Sequence, residues 1–277
     1  MIKIAKNVYQ TTSLPYFNPM QKAERSVLTH SLLFMISKEG AMVSKTLGLI
    51  GGMSWESTIP YYRIINEYVK SQLGGLHSAK IILHSVDFNE IEQLQSQGNW
   101  AQAAAVLSNI AVGLRHAGAD AIVICTNTMH KVADDVERAC QLPLLHIADA
   151  TGDSLAQHGL KKVGLLGTRY TMEQDFYRLR IQERFGIDII VPNQAGRESV
   201  NRIIYDELCL GNINDTSRQI YREIIRQLEQ QGAEGIILGC TEIPLLISSQ
   251  DAQVPLFDTS YLHAIAAAKF AITPSSI

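Results

Sequence analysis

Charge, disulfide spacing and long apolar runs are all scarce in this chain. Charged residues make up 18% of its 277 positions and the formal net charge is only −3, against a typical charged share of about 25%. Such a chain carries no basic footprint for nucleic acid or an anionic membrane surface. Its 46% hydrophobic content excludes disorder over most of the length. No run of about 18 apolar residues is present, so no membrane-spanning helix is expected. The four cysteines, Cys125, Cys140, Cys209 and Cys240, contain no CxxC pair and no metal-ligand spacing, so neither a disulfide scaffold nor a metal site is expected. They read as free thiols in a reducing compartment, the cytoplasm. What is present is enough apolar residue to bury about three-quarters of the unfolded surface, in one or two domains.

Residues 1–44 stand apart. The mostly apolar stretch 26–36 follows Lys22 and Arg25, as in a secretory signal. His30 interrupts it, Pro15 and Pro19 precede it, and Lys38 and Glu39 follow it, which makes the match poor. The segment reads as an extension, poorly ordered in the folded protein.

From Lys45 the pattern alternates. Short apolar runs at 46–50, 81–86, 121–125 and 143–147 read as strands, separated by helical spacing over 57–72, 100–117 and 128–139. The order restarts with strands over 163–166, 188–191, 235–238 and 255–257. Their helices fall at 172–185, within 199–231, from 242 and over 260–271. Strands alternating with helices imply a parallel α/β sheet with right-handed crossovers.

The restart is an internal repeat. KTLGLIGG at Lys45 parallels KKVGLLGT at Lys161, and GADAIVICTNT at Gly118 parallels GAEGIILGCTE at Gly232. LPLLHI at Leu142 resembles VPLFDT at Val254. Near-constant separation over three blocks implies two pseudo-symmetric lobes, residues 45–158 and 159–277, with a site where the carboxyl ends of equivalent strands meet. Aligned without gaps, the second block sets Thr126 against Cys240 and Cys125 against Gly239. Neighbours on a strand face opposite ways, so Thr126 is expected in the cleft and Cys125 in the packing. Each strand end leads into a polar cluster before a helix. Free N–H groups there suit a carboxylate, and a cysteine there is expected to lean toward thiolate.

The motifs GLIGGMSWEST, CTNTMHK, LLGTRYTMEQDFY and GCTEIPLL resemble the aspartate/glutamate racemase family, amino-acid racemases that work without a cofactor. The resemblance spans Thr46 to about Ala271. It implies two flavodoxin-like lobes, a site at their interface, an acidic amino acid (aspartate or glutamate) as small-molecule substrate, and a homodimer. Most members place a cysteine before Asn-Thr and a second in Gly-Cys-Thr. Here Thr126 precedes Asn127 and Thr128, and Cys240 lies in Gly-Cys-Thr. This Thr/Cys pairing is similar to a subgroup of broad aspartate/glutamate racemases. Glu242 in GCTE is like the aspartate-racemase branch.

Inversion at an α-carbon needs a base on one face and an acid on the other. A thiol pKa of about 8.5 can be tuned toward neutrality, whereas a threonine hydroxyl is far less acidic. The expectation is asymmetric: Cys240 as base on the L-enantiomer, Thr126 or a water it holds on the opposite face. Asn127, Thr128 and Thr241 would stabilise the enediolate. Met53 and Ser54 on the first strand–helix turn, and Thr168 and Thr171 on its second-lobe counterpart, are candidate substrate contacts. No arginine-bearing PDR pattern follows the second strand, and Gln95 is the candidate for side-chain recognition. His130 and Arg169 remain open between site and structural roles. Cys140 and Cys209 read as structural, and Trp55, Tyr61 and Tyr62 as packing or dimer surface. Other superfamily chemistry stays open: decarboxylation, hydantoin racemisation and cis-trans isomerisation. So do a binding protein without catalysis and a nucleotide- or flavin-binding module.

Overall fold

Short apolar runs become the strands, and their register restates the internal repeat. The structure is a computed structural model and describes residues 44–274. The extension expected over residues 1–44 lies outside the described residues, apart from Ser44. The first half holds β1 (Thr46–Gly51), α1 (Trp55–Leu73), β2 (Lys80–Ser85), α2 (Phe88–Ser96), α3 (Trp100–His116), β3 (Ala121–Ile124) and α4 (Ala133–Cys140). Then come α5 (Ile147–Gln157), β4 (Lys162–Gly167), α6 (Arg169–Glu173), α7 (Asp175–Phe185), β5 (Asp188–Ile190) and α8 (Gln194–Asp206). Last are α9 (Asp215–Gln230), β6 (Ile236–Gly239), α10 (Ile243–Leu246), β7 (Leu256–Asp258) and α11 (Thr259–Ile272).

Two sheets form, ordered β2-β1-β3 and β5-β4-β6-β7, and every pairing is parallel. Gly48 pairs with Ile122 in the first and Gly164 with Ile236 in the second. The repeat-equivalent residues therefore occupy equivalent places, and the ends of β3 and β6 correspond. This is the two-lobe α/β architecture that the sequence implied.

Several elements differ from expectation. The strand expected over 143–147 is a single bridge between Ile122 and Leu144. Pro143 has no N–H to give a ladder, and His146 already caps α5, its side chain accepting from the Ala148 amide. The helix expected over 128–139 opens as a 3-10 turn, Thr128–Val132, before α4. The helix expected over 172–185 is broken at Gln174, whose ψ of 153° is extended. Helices α2 and α5 were not anticipated. Asp87 starts α2 by accepting from the Asn89 amide at 3.0 Å, a local cap that ends the preceding extended chain.

Each half lends a helix to the other's packing. Ile147, Ala148 and Leu155 of α5 join the core of the second sheet. Ala264, Ala267, Ala268 and Ala271 of α11 pack with Leu47, Tyr61 and Ile65 of the first. Alanines along that stripe let the helix lie close to α1. No helix among the described residues is long and apolar enough to cross a membrane.

The turn after β1 is the tightest backbone feature near the cleft. Gly52 has φ of +88°, and a Cβ there would lie 2.3 Å from the Val86 carbonyl oxygen. Gly52→Ala is therefore expected to destabilise by about 1–3 kcal/mol or more, from left-handed strain plus the clash. A urea midpoint equal to that of the parent protein would contradict this.

Candidate active site

The polar ends of β1, β3, β4 and β6 converge on one cleft of about 390 Å³, open mouth included, with Thr126 and Cys240 both in its lining. β3 stops at Ile124, and the Cys125 amide still donates to the Ile50 carbonyl at 2.9 Å. That last ladder bond sets the two side chains apart. Cys125 is fully buried in the core with Leu47, Tyr61 and Val123, where burial pushes its thiol far up. Thr126 turns to the cleft.

His130 supports Thr126 from behind. Its Nε2 accepts from the Ile147 amide at 3.2 Å, so the ring proton sits on Nδ1 and is donated to the Thr126 carbonyl at 2.7 Å. Burial, with His146 and His263 beside it, holds His130 well below the ordinary histidine range. A neutral ring that spends both nitrogens on backbone groups is a strut for the loop.

Asn127 and Thr128 tie the loop to the other half. Asn127 Nδ2 donates to Thr259 Oγ1 at 3.0 Å, which in turn donates to the Leu238 carbonyl at 2.9 Å. Thr128 Oγ1 lies 3.1 Å from Thr168 Oγ1, and Thr168 lies 3.2 Å from Thr171 Oγ1. Thr128 and Thr168 line the cleft, and Thr171 stands behind them, fully buried. Tyr170 Oη donates to the Gln95 carbonyl at 3.2 Å. In the cleft lining, the side-chain oxygens Asn127 Oδ1 and Gln95 Oε1 are buried with no hydrogen-bond partner among the described residues. Such acceptors carry a desolvation cost that an ammonium group could relieve. Met53 and Thr241 also line the cleft. Ser54 does not; it caps α1 and reaches Glu242 instead.

Glu242 is buried, and it collects three donors. Cys240 Sγ donates to Oε2 at 3.0 Å, Thr241 Oγ1 to the same oxygen at 2.8 Å, and Ser54 Oγ to Oε1 at 2.8 Å. Burial first and the Glu242 carboxylate second push the Cys240 thiol well above the ordinary cysteine range. This corrects the expected lean toward thiolate. The helix after Cys240 has only four residues, too short to gather a dipole that would offset a buried carboxylate.

Sequence reasoning left Glu242 undecided and missed Phe88, Ile204, Tyr205 and Cys209, all of which line the cleft. Cys209 was expected to be structural; it is half-buried on the cleft wall, and burial pushes its thiol up to about 12. It sits in a 3-10 turn, Leu208–Leu210, with no sequence mark to distinguish it. Arg169 is exposed and absent from the lining. His146 and His263 are buried, whereas His84 is exposed on the edge strand β2. Among the described residues lining the cleft there is no lysine or arginine. Among the described residues there is also no group of three His, Cys, Asp or Glu side chains that could hold a metal ion.

Comparison with known proteins adds four findings. A family model described as Asp/Glu/Hydantoin racemase matches residues 50–267. A crystal structure from Yersinia pestis, of a candidate Asp/Glu racemase, is 67% identical with a TM-score of 0.79, covering 83% of this chain and 100% of that one. An aspartate racemase homologue from Pyrococcus horikoshii is 37% identical with a TM-score of 0.71, covering 82% of this chain and 99% of that one. The broad-specificity amino-acid racemase RacX of Bacillus subtilis is 22% identical over 77% of this chain and 92% of its own length.

Proposed function

Because the chain belongs to the Asp/Glu/hydantoin racemase family, we propose that it is a racemase of aspartate or glutamate that works by direct proton transfer, with Cys240 on the face of the L-enantiomer and Thr126 on the other. The carrying observation is that these two residues, at equivalent ends of β3 and β6, line one cleft.

The chemistry follows from the groups around them. An α-proton is weakly acidic, so its removal needs the developing enediolate to be stabilised at the α-carboxylate. With Thr171 donating to Thr168 and Thr168 to Thr128, the Thr128 hydroxyl is left free to donate for this. The unpartnered Asn127 Oδ1 and Gln95 Oε1 suit the substrate ammonium. With no cation in the lining, the second carboxylate meets a neutral donor, the Tyr205 hydroxyl. That arrangement selects less sharply between aspartate and glutamate than an arginine fork does.

Thiol and hydroxyl make the two faces unequal. Incubation with L-Asp, L-Glu and their D-forms in D₂O is expected to exchange the L α-protons faster, with inverted product on chiral chromatography. No exchange with any of the four would overturn the acidic-substrate reading. Equal rates for both enantiomers would overturn the assignment of faces.

A further inference from the structure

Cys240 does not stand alone in the cleft wall. Its thiol points its proton at Glu242 Oε2 over 3.0 Å. The other carboxylate oxygen is held at 2.8 Å by Ser54 Oγ, the N-cap of α1 in the first lobe. Thr241 occupies the remaining approach to Oε2 at 2.8 Å. A buried carboxylate fixed from both lobes and aimed at a single thiol is a costly arrangement for packing alone. It also keeps the thiol protonated, which is the wrong state for a base.

We infer that Glu242 accepts the Cys240 proton when substrate is bound, so that a thiolate beside a carboxylic acid, and not a free-standing thiolate, meets the α-proton. The identity of the substrate proton rests on the racemase reading above; the thiol–carboxylate pair does not. In the first step the Sγ–H bond breaks and an Oε2–H bond forms. The substrate ammonium, arriving at the same cleft, compensates the charge that moves to sulfur. Sγ then takes the α-proton, and the Cα–H electrons pass into the α-carboxylate as an enediolate. A water on the Thr126 side protonates Cα and becomes hydroxide. The Glu242 proton neutralises that hydroxide through solvent as product leaves, which closes the proton count. Glu242 is thus a positioning residue that acts through Cys240.

Other titratable groups bear on this pair. Cys209 lines the same cleft and adds to the upward push on the Cys240 thiol after burial and Glu242. Tyr205 of α8 lines the same cleft, and both it and Tyr221 of α9 are held above the ordinary tyrosine range, chiefly by burial and then by the charge on Cys240. Glu56 of α1 acts on Cys209, and Glu207 on Tyr221. None of these groups hydrogen-bonds the Cys240 thiol, whereas Glu242 accepts from it.

The test compares the parent protein, Glu242→Gln and Glu242→Asp by two readouts. The first is iodoacetamide alkylation of the Cys240 peptide against pH, which needs no activity. The alkylation midpoint is expected to fall in Glu242→Gln, because the negative neighbour is gone. The second is L-substrate α-proton exchange against pH. The parent is expected to be flat around neutrality, since the proton moves internally. Glu242→Gln is expected to be about 10–100-fold slower at pH 7 and to recover as pH rises, because its thiol must ionise into solvent. Glu242→Asp keeps an acceptor and is expected to keep the flat profile. An unmoved alkylation midpoint overturns the inference whatever the exchange shows. So does a uniform loss at every pH, which marks a merely structural role, or faster exchange at pH 7, which marks simple repulsion. Absence of exchange in the parent protein overturns the racemase reading, and the alkylation midpoint then decides the pair by itself.

Discussion

Cys240→Ser is expected to slow α-proton exchange from the L-substrate by about 10²–10⁴-fold, the range a positioned general base supplies. Serine keeps the size and the hydrogen bond to Glu242, so the fold and the Ser54 link are retained. What it removes is a group able to hold negative charge near neutrality. The companion substitution tests the opposite face. Thr126 projects into the cleft from a loop fixed by its own carbonyl bond to His130, so Thr126→Cys places a second thiol without moving the backbone. Exchange from the D-enantiomer is expected to rise by an order of magnitude or more, about 10-fold upward, with little change for the L-form. Rates from NMR in D₂O for the four enantiomer–variant pairs check this. Undiminished L-exchange in Cys240→Ser would remove Cys240 from the reaction, and unchanged D-exchange in Thr126→Cys would remove Thr126.

Acid is expected to unfold the protein steeply just below neutrality, because three histidines are buried without charge. His130 and His146 rings lie 4.5 Å apart by centroid, and His130 and His263 lie 5.5 Å apart. Tyr61 Oη is bonded to His263 Nδ1 at 2.9 Å, and His263 Nε2 donates to the Leu145 carbonyl at 2.6 Å. Burial lowers His263 to about 4. Burial, then the nearby Arg180 and His263, lowers His146 to about 2, and His130 is also well below the ordinary range. In the unfolded chain each returns to about 6.5. Below that value the unfolded state binds protons that the folded state refuses. Stability is therefore complete above about pH 6.5 and lost as pH falls, toward about 4 for His263 and further for His146. By pH 5 the loss is about 2 kcal/mol per histidine. Urea midpoints at pH 7.5 and 5.0 measure it, and His146→Asn is expected to flatten the dependence. Equal midpoints at the two pH values would show that the rings carry protons in the folded state.

Both expectations lean on different kinds of legibility. The Thr126–Cys240 opposition could be aligned from GADAIVICTNT and GAEGIILGCTE, because a strand end and its following loop are local features that a repeat copies. The histidine cluster could not. His130, His146 and His263 come from a 3-10 turn, the cap of α5 and the middle of α11, and no spacing in the chain links them. Cys209 is a similar case: nothing around it marks a cleft wall. Gln95 is legible as a polar residue following the second strand, yet its helix is not, since α2 is short and its start depends on one aspartate cap.

The sequence by itself determined the alternation of strands and helices, the two-fold repeat, and which residues end β3 and β6. These depend on short-range pattern: apolar runs, glycine turns and side-chain alternation. Tertiary structure alone decided the upward push on the Cys240 thiol, the anchoring of Glu242 by Ser54 from the other lobe, and the seating of α11 on α1. Those depend on burial and on contacts between residues far apart in the chain, as between Ser54 and Glu242. A carboxylate two residues from a thiol is only a neighbour in sequence. It becomes a partner when the fold excludes water from both and supplies the serine that holds it in place.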